Sequence, residues 1–356
     1  MAIYKNRSIL YICHTLKKIL FIVLVGLVAE SMLFTSCNIF STKSVSLAND
    51  TTLSLEAREW SKKIDQTPDN AEYYVFRAEV LVNEKKYELA INDYQKAIEL
   101  QPEVVSHYYK LGDVLFAADK TTLALEQYVK AEEVNPKDQE AIFKHAQFLY
   151  FVRQFDKSKI KFGKLLAVNP QHAQGTFFTA MLNKEQGDTA TAIQNFKQTI
   201  LLLGSDYNSS MQLAQLYLAM GNGEKGMQFL DNAITVDPSS DEAHYARGLE
   251  YQKRGQAGKA MDDYQRTIDL NATHYYAYYN AGNILAEEEK YNEALNHFEI
   301  CVKLKEDFAK GYNRIGQCLE LQKKNELAVQ NYKRCLQIDP NFALAKEGLT
   351  RLGQMK

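Results

Sequence analysis

A unit of 34 residues recurs eight times without insertion from Ala71 to Phe342, and a fixed period of that length restricts the chain to stacked copies of one supersecondary element. Four rows of equivalent residues set the phase. The first is small throughout: Ala78, Gly112, Ala146, Ala180, Ala214, Gly248, Gly282 and Gly316. Twelve residues on comes a second small row, Ala90, Ala124, Ser158, Ala192, Gly226, Ala260, Ala294 and Ala328. Four further on stands a large apolar row, Tyr94, Tyr128, Phe162, Phe196, Leu230, Tyr264, Phe298 and Tyr332, and three beyond it a row opened by Ala97 and closed by Cys335. Spacings of four and seven lie on one helix face. Each unit therefore reads as two amphipathic helices, about Ala71 to Glu84 and Tyr87 to Leu100 in the first, meeting across small residues with an aromatic between them. One such hairpin cannot bury both its faces, so neighbours must stack.

The run Tyr108-Tyr109-Lys110-Leu111-Gly112, leading to Ala124, Tyr128, Ala131 and Pro136, resembles the tetratricopeptide repeat family. The resemblance spans residues 71–342. It implies an all-α, right-handed superhelical solenoid of eight helical hairpins, with a concave groove lined mainly by the first helix of each unit. It also implies protein or peptide binding, with neither an enzyme activity nor a cofactor.

Pro102, Pro136, Pro170, Pro238 and Pro340 all fall just after a second helix, where proline ends a helix, and Pro68 holds the same place one unit earlier. Projected backwards, the period puts Trp60 in the aromatic row and makes 52–66 an N-terminal capping helix. Residues 37–51, rich in Ser, Thr and Asn, read as a flexible tether. At the other end, 343–356 sets Leu344, Leu349 and Leu352 against Lys346 and Arg351, the pattern of a C-terminal capping helix. The fourth unit departs most, with Thr179 and Asn183 at apolar places and Gly204 replacing the proline. Two readings of its joint stand: a looser connection, or Leu201, Leu202 and Leu203 packed on the fifth unit.

Ahead of the repeats, Lys5, Arg7, Lys17 and Lys18 precede an apolar run of 11 residues, Ile19 to Ala29. That is short of the ~20 needed to span a bilayer and suits a secretory leader, expected over 1–36. Phe34-Thr35-Ser36-Cys37 resembles the lipobox of bacterial lipoproteins, although Phe34 stands where Leu, Val or Ile is usual. The resemblance makes Cys37 the acylated N-terminus of a chain anchored to the membrane by its lipid, outside the cytoplasm. Asn38 in place of aspartate favours the periplasmic side of the outer membrane. An uncleaved inner-membrane signal anchor and a conventional signal peptide are the alternatives.

The formal charge of −2 includes a net positive contribution from the first 36 residues, so the repeats are mildly acidic and carry no basic patch for nucleic acid. Cys301, Cys318 and Cys335, 17 residues apart, fit no zinc spacing. They read as buried thiols, with a Cys301–Cys318 disulfide the alternative, and no metal is expected. Gly221-Asn222-Gly223-Glu224-Lys225-Gly226 matches a dinucleotide fingerprint but follows a helix, so it reads as a hairpin turn.

Function is thus expected in the groove, where two stripes run along the first helices. The aromatic one comprises Tyr109, Phe143, Phe177, Tyr245 and Tyr279, with Phe116, Tyr150, Phe151 and Met181 beside it in the second to fourth units. These form an apolar platform if exposed, or lean onto the adjacent hairpins as packing. The second stripe runs Gln147, Gln215, Asn283 and Gln317, whose amides can pair with an extended peptide backbone or simply be solvated. Among five groove-facing places per unit, acids outnumber bases, and the Lys, Asn and Arg set with which some family members grip a C-terminal carboxylate is missing. The expected partner is a protein or peptide segment, neutral or basic. Glycan or peptidoglycan binding, and regulation of an envelope enzyme, are the other readings.

Overall fold

The computed structural model describes residues 46–355, and among them are 18 helices and no strands. They fall into two compact units that divide between Val134 and Asn135. The first holds helices α1 (Leu55–Gln66), α2 (Ala71–Asn83), α3 (Tyr87–Leu100), α4 (Val105–Ala117) and α5 (Thr121–Val134). The second opens with α6 (Gln139–Phe151), α7 (Phe155–Val168), α8 (Ala173–Glu185), α9 (Thr189–Leu203), α10 (Tyr207–Ala219) and α11 (Gly223–Val236). It continues through α12 (Asp241–Lys253), α13 (Ala257–Leu270), α14 (Tyr275–Glu287), α15 (Tyr291–Leu304), α16 (Ala309–Leu321), α17 (Asn325–Ile338) and α18 (Ala343–Arg351). The eight hairpins are α2–α3 through α16–α17. Within each unit, every second helix also packs on the first helix of the next hairpin, so each hairpin's second face is covered by its neighbour.

The first small row is small because an aromatic ring lies against it. A Cβ added at Gly282 would stand 2.7 Å from Phe298 Cε1, and one at Gly316 would stand 2.7 Å from Tyr332 Cε1. The rings of Phe162, Phe196, Tyr264, Phe298 and Tyr332 are completely buried, each contributing about 1.5–3 kcal/mol by leaving water. Cys301, Cys318 and Cys335 are free thiols in the same interior, and burial pushes Cys301 up to about 12 and the other two to about 11.

Every hairpin turns in the same way. The residue after the first helix's C-cap takes a positive φ in all eight: Lys85, Asp119, Arg153, Gly187, Gly221, Gly255, Glu289 and Lys323. The next N–H then reaches back to a carbonyl five residues earlier, as from Lys86 to Leu81 O at 2.8 Å and from Lys324 to Leu319 O at 2.9 Å. This left-handed closure satisfies carbonyls that the helix end leaves open. The Gly221–Gly226 run lies at such a turn and opens α11. First helices start on side-chain caps where the sequence supplies them: Ala141 N–H donates to Asp138 Oδ1 at 2.8 Å and Ala243 N–H to Ser240 Oγ at 3.1 Å.

The ends differ in detail from the sequence expectation. The N-terminal helix begins at Leu55, three residues later than expected, and Trp60 lies half-buried against Phe76 with ring centroids 4.8 Å apart. The described part of the expected tether is docked: Ala48 and Leu53 are buried, and Ser46 Oγ donates to Asp65 Oδ2 at 2.6 Å. Ala48 in the tether and Leu53 just beyond it supply the reason, with Leu47 half-buried beside them in sequence. In the fourth hairpin, α9 runs to Leu203 and stops at Gly204, φ 78°. Leu201 and Leu203 are exposed, at 75% and 53%, while Leu202 is half-buried. The leader expected over 1–36 and Cys37 lie outside the described residues. No described helix is long and apolar enough to cross a membrane.

Candidate groove site

In the first unit, Tyr109 and Phe116 are half-buried on α4. Two acids of that unit are engaged: Glu79 accepts from Lys110 Nζ at 2.6 Å, and Asp113 Oδ1 accepts from Tyr128 Oη at 2.7 Å. Lys110, next to Tyr109 on α4, thus reaches across to α2.

In the second unit, four residues of the aromatic stripe gather around one that the stripe omits, Phe178. Its ring stacks on Phe162 at 5.5 Å with planes 5° apart. It also meets Phe143 at 5.9 Å, Tyr150 at 5.4 Å, Phe151 at 6.1 Å and Phe177 at 5.6 Å, all edge-on. Edge-to-face pairs at such separations add to the stabilisation from burial alone. A signal for Phe178 was present in the sequence: adjacent helix residues point about 100° apart, so Phe177 and Phe178 necessarily serve different neighbours. Phe177 goes to Phe196 at 5.6 Å, and with Met181 it packs half-buried on the fourth hairpin's interior.

Exposure divides the stripe. Phe151 is 53% open and Tyr150 half-buried, with burial raising the Tyr150 phenol's pKa. Phe143 corrects the sequence expectation. At 4% exposure it belongs to the core with Ile142, Phe162 and Leu165, because the ring turns between its own second helix and the next hairpin. Tyr245 and Tyr279 lean onto their neighbours in the same way: Tyr245 lies 4.4 Å from His274 and accepts from Asn280 Nδ2 at 3.2 Å, and Tyr279 meets Phe308 edge-on at 5.1 Å.

The amide stripe is uneven. Gln215 is exposed and Gln147 half-buried, while Gln317 Oε1 accepts from Arg314 Nη1 at 3.1 Å. Asn283 corrects the picture of a solvated row: it is 8% exposed, and its Oδ1 has no hydrogen-bond partner among the described residues. Asn283, Arg314, Gln317 and Arg351 line a pocket of about 440 Å³ bounded by α14, α16 and α18. At its rim Arg351 donates through Nε and Nη2 to both Glu320 oxygens, at 2.9 Å each, and Tyr332 Oη donates to the same carboxylate at 2.6 Å. Those donors, Arg351 foremost, hold the Glu320 carboxyl below the ordinary carboxylate range. Among the described residues, no group of three or more His, Cys, Asp or Glu side chains is arranged to hold a metal ion.

Tetratricopeptide repeat models match residues 184–249, 275–308 and 309–342, and a TPR repeat model matches 78–119. The chain carries tetratricopeptide repeats. The tetratricopeptide array is similar in fold to the C-terminal part of a TPR repeat-containing protein from Cytophaga hutchinsonii, with a TM-score of 0.58, 16% identity, and coverage of 68% of this chain and 99% of that one. It is also similar to Pseudomonas aeruginosa pilF, with a TM-score of 0.51, 13% identity, and coverage of 61% and 100%. A structure of MamA aligns at 24% identity over 46% of this chain and 96% of that one, with a TM-score of 0.43. No curated protein sequence matches this chain.

Proposed function

We propose that this tetratricopeptide array is a non-catalytic protein-interaction scaffold, anchored to a bacterial envelope membrane by lipid on Cys37. It binds extended peptide or protein segments in its groove and assists envelope assembly or secretion. The observation that carries the binding assignment is the aromatic cluster on α6 and α8. There, Phe151 stays 53% exposed beside Tyr150, on a base of rings organised by Phe178. A large apolar side chain held open on a rigid base suits an anchor for a partner. The anchor assignment rests on the sequence alone: the positive flank, the short apolar run and Phe34-Thr35-Ser36-Cys37.

The test is co-purification from detergent-solubilised membranes, comparing the wild-type chain with the Phe151→Ala/Met181→Ala variant. Partner recovery is expected to fall at least tenfold while helical content is unchanged. Undiminished recovery overturns the groove assignment. Retention on peptidoglycan without any protein present would replace it with the glycan reading. Cys37→Ala is expected to abolish acyl labelling and membrane association, and retained labelling overturns the lipid anchor.

A further inference from the structure

Helix α9 carries its leucine run into solvent. It is 15 residues long where α7 and α11 have 14, and it ends with Leu201 75% and Leu203 53% exposed. On α7, the second helix of the preceding hairpin, Ile160 is 71% exposed and Val168 42%. The buried side of α7 is Ser158, Phe162 and Leu165, and that of α9 is Ala192, Phe196 and Thr199. At about 100° per residue, Ile160 and Leu201 stand almost opposite those sides. Single exposed apolar side chains are ordinary, but four on two successive second helices mark a surface for something outside the fold.

The charge of these two helices sets what that is. Together α7 and α9 hold five lysines and one acid, Asp156, whereas the next two second helices, α11 and α13, hold five acids and three bases. Lys161 and Lys164 are half-buried and engaged within the fold, while Lys157, Lys159 and Lys197 are exposed. Lys159 donates to a neutral oxygen, Gln186 Oε1, at 2.8 Å, and Lys197 Nζ stands 5.5 Å from the Tyr217 ring centre. Asp188 is within electrostatic reach of Lys159 but is already occupied as the cap of α9, accepting from Thr191 N–H at 3.1 Å.

The apolar groups are projections and not the walls of a recess. Between Ile160 and Val168 the outward residues are Gly163 and Ala167, and nothing lies within 4 Å of a Cβ added at Gly163. A folded partner would have to supply a hole for each projection. A bilayer closes around them, and anionic headgroups complement the lysines.

We propose that the outward side of α7 and α9 rests on an anionic membrane surface. Ile160, Leu201 and Leu203 enter the boundary between headgroups and acyl chains, and Lys157, Lys159 and Lys197 pair with lipid phosphates. The contact rests on the membrane association proposed above and adds to it: the third and fourth hairpins lie against the bilayer.

The test places one reporter at the contact. Trp60 is the chain's single tryptophan, so Leu201→Trp in a Trp60→Phe background gives one emitting ring in the full chain. The chain is bound to vesicles of brominated phosphatidylcholine with and without about one-third phosphatidylglycerol. In the anionic vesicles the reporter is expected to shift to the blue and lose at least half its emission. Thr235→Trp, at the same place of the next hairpin and also exposed, is expected to keep its emission. Lys157→Gln/Lys159→Gln/Lys197→Gln is expected to reduce the quenching at least fivefold with helical content unchanged.

An unquenched Leu201→Trp reporter, equal quenching at Thr235→Trp, or equal quenching in neutral vesicles or in the lysine variant each overturns the contact. A reporter unmoved by lipid, with partner recovery lowered by Leu201→Ser/Leu203→Ser, overturns it in favour of a protein-docking face. Repeating the measurement with Cys37→Ala separates this contact from the lipid anchor, which acyl labelling reads independently. Quenching retained in that variant supports the contact, and quenching lost shows that the surface has no affinity of its own and overturns it.

Discussion

Arg77 grips Asp93 at two points, through Nε at 2.8 Å and Nη2 at 2.6 Å, in a site where both side chains are buried. Arg247 and Asp263 hold the same two places of the repeat five units later, and make the same contact at 2.9 and 2.8 Å. No other unit has an Arg and an Asp at those places. The surplus donors are used as well: Arg77 Nη1 donates to Ser61 Oγ at 2.9 Å, and Arg247 Nη1 to Asp231 Oδ1 at 2.8 Å. These two hairpins thus carry an internal cross-link of charge that the consensus rows do not require.

Breaking one side of that pair strands the other. Arg77→Met is expected to cost about 3–5 kcal/mol, whereas Arg77→Met combined with Asp93→Leu recovers most of it, because replacing both partners leaves no buried charge. Hydrogen exchange of the α2 and α3 amides during urea unfolding reads the difference. Equal losses in the single and double variants would show that packing, not charge, dominates.

Two glycines should respond oppositely to alanine. Gly282→Ala pushes a methyl to 2.7 Å from the buried Phe298 ring, and is expected to destabilise by about 1–3 kcal/mol. At Gly163, inside α7, nothing lies within 4 Å of an added Cβ, so Gly163→Ala is expected to stabilise by about 0.5–1 kcal/mol through helix propensity. Thermal melts of the two variants should move in opposite directions.

Phe143 and Phe151 separate core from surface on one helix. Phe143→Ala is expected to cost about 3–5 kcal/mol, and Phe151→Ala to stay within about 0.5 kcal/mol of wild type. Chemical denaturation followed by circular dichroism checks both. A large loss from Phe151→Ala would mean that its ring contacts with Tyr150 and Phe178 are structural.

The closing helix α18 should loosen in acid. Donors from Arg351, then Tyr332, hold the Glu320 carboxyl below its ordinary value of 4.5, so the folded form binds this proton less readily than the unfolded one. The associated stability is complete above about 4.5 and is lost as pH falls through the folded value. Arg351 is half open to solvent, which limits the effect to about 1 kcal/mol. Hydrogen exchange across α18 should show it, and Glu320→Gln should flatten the acid limb. A slope unchanged in that variant would assign the loosening to another carboxylate.

Burial keeps the three repeat cysteines protonated, with Cys301 pushed up to about 12 and Cys318 and Cys335 to about 11. Because the thiolate is the reactive form, all three are expected to resist alkylation at pH 8 in the native chain and to react once it is unfolded, as read by peptide mapping. Rapid native labelling of Cys335 would place it on a mobile surface.

The period determined the architecture. Rows of small and aromatic residues recurring every 34 positions, from Ala78 against Tyr94 to Gly316 against Tyr332, leave hairpins with two apolar faces and one way to cover them. The helix ends of the first hairpin followed from the same rows to within a residue, because proline and the caps act locally, whereas the two capping helices came out shorter than expected. The turns were less legible: only Gly187, Gly221 and Gly255 announce a positive φ, yet Lys85, Asp119, Arg153, Glu289 and Lys323 adopt it too, since stacking of the hairpin outweighs about 1–2 kcal/mol of local strain. The groove was legible only as a face. A helical stripe names the side on which Phe143, Phe151 and Asn283 stand, but whether each is open depends on how far the next hairpin reaches across it. Tertiary packing alone therefore buried Phe143, left Phe151 exposed, seated Phe178 among its neighbours, and sealed Oδ1 of Asn283 away from solvent.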